Sequence, residues 1–141
     1  MSMRLILKAS GVWLLMMIVA ITNGLVRDSL LVPLLGQQLA LPVSGISLSV
    51  LEFLVACLCA PYFGRNTAST FIAIGIQWVL MTLVFEFGFG HYVLGKSWHV
   101  LLQVFNVSRG DLFVLVLLTS LVSPYAAASV RGRLLAAMPF H

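Results

Sequence analysis

The sequence predicts an all-α integral membrane protein, a four-helix bundle that carries a re-entrant or interfacial segment and a short amphipathic helix on its outer side. Composition is the first basis for this prediction, since 61% of the 141 residues are hydrophobic and only 9% are charged. A soluble domain carries about 25% charged residues, and a disordered chain combines low hydrophobicity with high charge, so both classes are excluded. The second basis is the presence of four apolar runs close to the ~20 residues that a helix needs to cross a bilayer.

The four predicted spans form a single membrane domain over residues 1–141. They cover residues 9–26, 43–63, 67–87 and 111–130. The second span is expected to bend or end near Pro61, and Pro124 is expected to kink the fourth, because proline removes a helical hydrogen bond. The first span follows Arg4 and Lys8, as the apolar part of a signal peptide would. The C-terminal end of this span lacks a small-x-small cleavage site, so we expect the first span to remain uncleaved.

Two connections on the predicted outer side are long and apolar. Residues 29–42 are too apolar for an aqueous loop and too short to span, so they are expected to form the re-entrant or interfacial segment, broken at Pro33, Gly36 and Pro42. Residues 88–110 are expected to contain the short amphipathic helix, lying at the level of the headgroups. The connection between spans two and three is only a short turn, so the outer side is the more elaborate one.

Basic residues are divided unevenly between the two sides. One side carries Arg4, Lys8, Arg65, Arg131 and Arg133. The other side carries Arg27, Lys96 and Arg109. The positive-inside rule therefore predicts that both termini lie in the cytoplasm. Since these charges stand singly at the ends of apolar runs, the expected partner is the lipid bilayer and not a nucleic acid.

Polar residues converge on the outer half of the predicted bundle. All four acidic residues touch a span, and an ionisable residue at membrane depth is a functional candidate by default because its burial is expensive. Steps of three and four residues align these groups with small residues on stripes that face other helices. The candidate substrate- or ion-binding residues are Asn23, Arg27, Glu52, Thr82, Glu86, His91 and Arg109.

Three stripes carry most of these candidates. They are Trp13, Met16, Ala20, Asn23 and Arg27 on the first span, Gly45, Ser49, Glu52, Ala56 and Cys59 on the second, and Phe71, Gly75, Trp78, Thr82 and Glu86 on the third. Glu52 is the deepest candidate, and its structural alternative is a neutral carboxylic acid hydrogen-bonded in the core. Glu86 and Arg27 could instead form a structural ion pair, and Arg109 could reach lipid phosphates.

The sequence predicts no cofactor and no metal site. It contains no HExxH motif, no paired CxxC motif, no calcium-binding loop and no glycine-rich phosphate loop. Cys57 and Cys59, two residues apart on a helix, point about 200° away from each other and cannot form a disulfide with one another. We expect them to serve as small buried apolar groups.

Three stretches of the chain resemble a group of small bacterial four-span proteins of the cytoplasmic membrane that have no assigned activity. They are residues 23–28 (Asn-Gly-Leu-Val-Arg-Asp), residues 33–36 (Pro-Leu-Leu-Gly) and residues 85–95 (Phe-Glu-Phe-Gly-Phe-Gly-His-Tyr-Val-Leu-Gly). The resemblance extends from the first span to the fourth. It implies a bacterial cytoplasmic-membrane location and a fold complete in itself, and it implies no particular substrate.

Three functions are compatible with these observations. The favoured one is a small transporter or channel-like protein, with Glu52 responding to protons or cations at depth and with a homo-oligomer or another membrane protein helping to form the pathway. The second is a membrane-embedded enzyme or lipid-binding protein whose site opens at the outer leaflet. The third is a structural or assembly subunit of a membrane complex, in which the polar cluster would be an interface.

Overall fold

Helices are the regular elements of the chain. A computed structural model describes residues 2–106 and 112–133, and no strand occurs among them. The α-helices are α1 (Met3–Val26), α2 (Val32–Leu35), α3 (Gln37–Phe63), α4 (Ala68–Gly88), α5 (Trp98–Leu102) and α6 (Phe113–Val130). A π-helical turn, Arg27–Leu31, joins α1 to α2, a second one, Phe89–Val93, follows α4, and a 3-10 turn, Gln103–Phe105, follows α5.

Four of the helical segments within residues 2–106 and 112–133 are long and apolar enough to cross a membrane. They are Met3–Leu35, Gln38–Phe63, Ala68–Val93 and Phe113–Val130. Only 28–33% of the most apolar part of each is buried inside the protein, and Leu58 and Val84, for example, are 75% and 73% exposed. Such outward-facing apolar side chains are stable in lipid and not in water. The protein is a multi-pass membrane protein built as a four-helix bundle, as predicted.

The segment 29–42 differs from the prediction. Residues 29–35 continue the helical path of α1 and residues 37–42 begin α3, so the chain is broken at Gly36 alone. Gly36 has φ 84° and ψ 159°, a conformation that is essentially restricted to glycine. Pro33 lies just after the π-helical turn, within the continuous helical path Met3–Leu35, and Pro42 lies inside α3, so each removes one backbone N–H donor without ending its helix. The predicted re-entrant or interfacial segment is therefore the tip of a helical hairpin.

The bundle has a square arrangement. Helices α1 and α6 each pack against both α3 and α4, which places α3 and α4 diagonally across from one another although they are joined by a short turn. That turn contains Gly64, whose φ of 77° ends α3. At the same end of the bundle, Arg131 donates to the carbonyl of Cys57 at 3.3 Å, so the ends of α3 and α6 meet there.

The half of the bundle nearest the N-terminus is tightly packed. Phe71, Ile74 and Trp78 of α4 are fully buried against α1 and α3, and the indole N–H of Trp78 donates to the carbonyl of Ala9 at 2.9 Å. A Cβ atom on Gly75 would lie 2.1 Å from the carbonyl oxygen of Leu121, so the backbones of α4 and α6 touch at this glycine. This apolar cluster closes one end of the bundle.

The predicted short helix of the outer connection is present as α5. Trp98, Val100 and Leu102 are exposed, whereas Leu101 is buried. A Cβ atom on Gly90 would come within 2.6 Å of the Leu101 side chain, so the absence of a side chain at Gly90 lets α5 lie against the end of α4. The connection thereby folds back over the bundle instead of extending away from it.

Candidate functional site

A cavity of about 410 Å³ occupies the half of the bundle opposite the packed cluster. Its lining comes from α1, α3, α4, α6, the first π-helical turn and the folded-back connection. The lining residues are Met17, Ala20, Ile21, Gly24, Arg27, Asp28, Leu41, Leu48, Glu52, Thr82, Phe85, Glu86, Lys96, Val100, Leu101, Phe113 and Val116. Two other depressions, of about 300 and 400 Å³, lie on outward surfaces and are lined by uncharged side chains. The charged lining distinguishes this cavity, which we call the outer cavity.

Glu52 forms the deep end of the outer cavity. It lies eleven residues before the end of α3, about 17 Å along the helix and so near the middle of a ~30 Å hydrocarbon core. The residue is 2% exposed, and its Oε2 atom accepts a hydrogen bond from the Ser120 hydroxyl of α6 at 2.9 Å. Within residues 2–106 and 112–133, no basic side chain forms an ion pair with this carboxylate. A buried carboxylate without a counter-charge is neutralised either by a proton or by a bound cation.

One wall of the outer cavity is fixed by a hydrogen bond between α1 and α4. The indole N–H of Trp13 donates to Oγ1 of Thr82 at 3.0 Å, and Thr82 is buried. The Phe85 ring packs edge-on against the Trp13 ring, with 6.0 Å between the ring centroids. These contacts hold Thr82 and Phe85 at the cavity, one helical turn above the packed cluster.

The mouth of the outer cavity carries charges of both signs. Arg27 and Asp28 begin the π-helical turn after α1, and Nε of Arg27 lies 3.1 Å from Oδ1 of Asp28. Glu86 lies on α4, one turn beyond Thr82. Lys96 is brought back to the mouth because its backbone N–H donates to the Gly90 carbonyl at 2.9 Å. The mouth of the cavity therefore carries two basic and two acidic side chains, while the deep end carries a single carboxylate.

The structure brings four of the seven predicted candidates together. Arg27, Glu52, Thr82 and Glu86 all line the outer cavity. Asn23 does not line it, because its Oδ1 atom accepts the hydroxyl of Ser44 in a contact between α1 and α3. That placement differs from the expectation that Asn23 would face the same interior.

His91 and Arg109 complete the predicted set. His91 lies outside the lining of the cavity: its Nδ1–H donates to the carbonyl of Lys96 at 2.8 Å, and its ring stacks on Trp98 with 3.9 Å between centroids. It shapes the connection that carries Lys96 and does not itself face the cavity. Arg109 lies outside the described residues.

Three polar residues at the outer cavity are absent from the predicted set: Asp28 and Lys96 line it, and Ser120 lies against Glu52. Ser120 is the hydrogen-bond partner of Glu52, and it belongs to a stripe of buried residues on α6. That stripe consists of Val116, Ser120, Ser123 and Ala127 at steps of three or four residues, so the same spacing argument that identified the other helices identifies it. Lys96 carries no such signal, because its position depends on the fold of the connection.

The outer cavity combines charged side chains at its mouth with a carboxylate at its deep end and apolar walls. Among the described residues, no group of three His, Cys, Asp or Glu side chains is arranged to hold a metal ion. The chain matches no protein-family model, no curated protein and no solved structure. The geometry of the outer cavity is therefore the basis on which a function can be inferred.

Proposed function

We propose that the protein is a small transporter in which Glu52 couples movement of a solute to movement of a proton. The observation that carries this proposal is the position of Glu52, a carboxylate buried near mid-membrane at the deep end of a cavity whose mouth is charged. Ionisable residues at this depth are expensive to keep and are typical of proton and ion pathways. The cavity supplies room for a solute next to the group that would exchange the proton.

A carrier is favoured over a channel by the packing on the other side of Glu52. The fully buried side chains Met16, Phe71 and Trp78 fill the adjoining half of the bundle. Conduction through an open pore needs a continuous path, whereas a carrier exposes its site to one side at a time. Movement of α4 against α1 would open the packed half, and the Trp13–Thr82 contact lies at the boundary between the two halves.

The proposal sets the protein in a bacterial cytoplasmic membrane with both termini inside, so that the outer cavity opens away from the cytoplasm. It is supported by the resemblance to small bacterial four-span proteins and by the excess of basic residues at the end opposite the cavity. Fusion of a fluorescent protein to the C-terminus is expected to give fluorescent cells, and fusion of alkaline phosphatase is expected to be inactive. The reverse result would place the cavity mouth in the cytoplasm.

The proposal also includes a second copy of the chain or another membrane protein as a partner, because four helices leave little room for a pathway to the opposite side. The mass of the purified protein in detergent, measured by light scattering, is expected to correspond to more than one chain. A strictly monomeric protein that still transports would remove this part of the proposal.

Transport is tested in liposomes that contain the purified protein and a pH-sensitive dye. Gradients of inorganic cations, organic cations, amino acids, sugars and organic anions are applied one at a time. At least one solute is expected to drive proton movement, and Glu52→Gln, which has nearly the same shape, is expected to abolish it. Proton-linked flux that is unchanged in Glu52→Gln, or no flux above that of empty liposomes for any solute, would refute the proposal.

A matched pair of variants on α6 tests whether the carboxylate is positioned by its neighbour. Ser120→Ala removes the hydroxyl that donates to Glu52 and is expected to reduce proton-coupled flux while leaving the carboxylate in place. The control is Thr119→Ala, since the Thr119 hydroxyl bonds to the carbonyl of Leu115 in its own helix. Equal flux in the two variants would show that the Ser120 hydroxyl has no part in coupling.

Lipid binding is the second candidate function, and the mouth of the outer cavity favours it. Arg27 and Lys96 could hold an anionic headgroup while the apolar walls accept part of an acyl chain. Mass spectrometry of the purified protein is expected to show an anionic lipid that is lost in Arg27→Ala combined with Lys96→Ala. Retention of the same lipid by this double variant would argue against the candidate.

A further inference from the structure

We infer that the solute of the outer cavity is a small organic cation with an apolar body, which exchanges with a proton on Glu52. This inference rests on the proposed transport function and adds the chemical class of the substrate. It is drawn from the charges, the hydrogen-bonding groups and the walls of the cavity.

The sign of the substrate follows from the charge at the deep end. Glu52 is the ionisable side chain at that depth, and among the described residues no basic side chain is paired with it. An anionic solute would place a second negative charge beside a buried carboxylate, which is strongly unfavourable in a medium of low dielectric constant. A cation would supply the missing counter-charge.

The side chains that line the cavity favour an organic cation over an inorganic cation and over a neutral polar solute. Apart from the charged groups at the mouth, the lining of the cavity consists mainly of aliphatic and aromatic side chains, such as Met17, Ile21, Leu48, Phe85, Phe113 and Val116. Besides the carboxylate, two hydroxyls lie near this level: that of Ser120 donates to Glu52, and that of Thr82 accepts the indole N–H of Trp13. A dehydrated metal cation needs about six or more oxygen ligands, and a sugar needs a partner for each hydroxyl. Neither requirement is met, whereas a cation with a hydrocarbon surface needs one carboxylate and apolar walls.

The size and the aromatic content of the outer cavity agree with this class. A volume of about 410 Å³ lies toward the lower end of the ~300–1,000 Å³ typical of small-molecule pockets, so we expect a single small organic molecule. The rings of Phe85 and Phe113 line the cavity, and an aromatic face attracts an organic cation that has lost its water.

Proton exchange follows because the single carboxylate of Glu52 can be neutralised either by a proton or by the organic cation, but not by both at once. The charged groups that face Glu52 from the other elements are at the mouth: Arg27 is paired with Asp28, and Glu86 and Lys96 lie beside them. Within Phe113–Val130, α6 contributes no charged residue, and the phenol of its Tyr125 is on an exposed residue. Binding of one cation is therefore expected to release one proton from Glu52.

The experiment measures cation binding by calorimetry in lipid nanodiscs, with empty nanodiscs subtracted, and uses methyltriphenylphosphonium as the probe. Binding is expected to weaken as the pH is lowered from about 8 to about 5, because protons then compete for the carboxylate. Repeating the titration at about pH 5, where Glu52 carries its proton before the cation binds, in buffers of different ionisation enthalpy is expected to show about one proton released for each cation bound. Tetraphenylborate, which has a similar apolar body and a negative charge, is expected not to compete.

Variants of Glu52 identify the group responsible. Glu52→Gln is expected to lower affinity for the cation by about 10-fold or more, the size of a lost charge-assisted interaction, and to abolish proton release. Glu52→Asp keeps the charge and is expected to retain part of the affinity and the proton release. Ser47→Ala is the control for a substitution on α3 outside the cavity. The Ser47 hydroxyl bonds to the carbonyl of Val43 on the same helix, and the residue is not part of the cavity lining. Elution volume and tryptophan fluorescence of each variant establish that it is folded.

The outcomes separate this inference from the proposed function. If the cation fails to bind while another class of solute drives proton flux that depends on Glu52, the inference is overturned and the transport function stands. If the cation binds with proton release but is not moved across liposomes, the cation site stands and the transport function fails. Equal binding of the cation by wild type and Glu52→Gln, or equal binding of tetraphenylborate, would overturn the inference directly.

Discussion

Replacing Gly75 with alanine adds a methyl group where α4 and α6 touch. Its carbon would lie 2.1 Å from the carbonyl oxygen of Leu121 and 2.9 Å from the carbonyl carbon, and both are backbone atoms that cannot turn aside. Since ordinary contact begins near 3.4 Å, the two helices must separate by more than 1 Å at this level. A gap of ~1 Å already forfeits about half of the dispersion energy of the contacts involved. We expect a destabilisation of about 1–3 kcal/mol, which is typical of overpacking.

The assay is thermal unfolding of the detergent-solubilised protein, followed by tryptophan fluorescence. Trp78 lies one turn from Gly75 on the same helix and is fully buried, so it reports on this layer of the bundle. The control is Gly88→Ala, because a Cβ atom on Gly88 would meet no atom within 4 Å. We expect a melting temperature several degrees lower for Gly75→Ala and an unchanged or slightly higher one for Gly88→Ala, since alanine favours helix over glycine. Equal melting temperatures would refute the close contact between the two backbones.

Two further substitutions test the wall of the outer cavity and the hairpin turn. Trp13→Phe removes the indole N–H that bonds to Thr82, and we expect it to lower the free energy of unfolding by about 1 kcal/mol, measured by thermal unfolding. The control is Trp98→Phe, at an exposed position, which is expected to change stability little. Equal effects of the two substitutions would contradict the assigned hydrogen bond. Gly36→Ala forces alanine into a conformation restricted to glycine and is expected to destabilise the hairpin by about 1–3 kcal/mol, seen as faster proteolysis at the turn. Gly11→Ala, on an open face of α1, is its control, and a Gly36→Ala protein as resistant as this control would contradict the assignment.

The four spans could be predicted because lipid-facing helices require long apolar runs, and residue type alone reveals those runs. The ends were harder to predict. Pro33 and Pro42 predicted breaks, yet the helices continue past both, each with the loss of a single backbone N–H donor. The conformation of Gly36 was sufficient for the reversal of the chain. Local preference for a break therefore did not determine where the break occurs.

The candidate site was predictable in part for a similar reason. Helical spacing placed Glu52, Thr82 and Glu86 on inward faces, since an α-helix fixes the direction of each side chain relative to its neighbours. The same logic failed for Asn23, because an inward-facing side chain near a helix crossing can bond across the crossing to Ser44 instead of facing a cavity. Spacing gives the direction of a side chain but not the gap between helices.

That gap is set by the size of the residues along each inward stripe. On α4 the stripe begins with Phe71 and Trp78, which fill the space between helices, and continues with Thr82, which does not. On α1 it passes from Met16 to Ala20 in the same direction. The two changes lie at different depths, because Thr82 is level with Trp13, to which it bonds, whereas Ala20 lies two turns nearer the mouth. The outer cavity therefore widens in steps from the carboxylate of α3 toward the mouth, and this order of side-chain sizes determines which end of the protein can admit a solute.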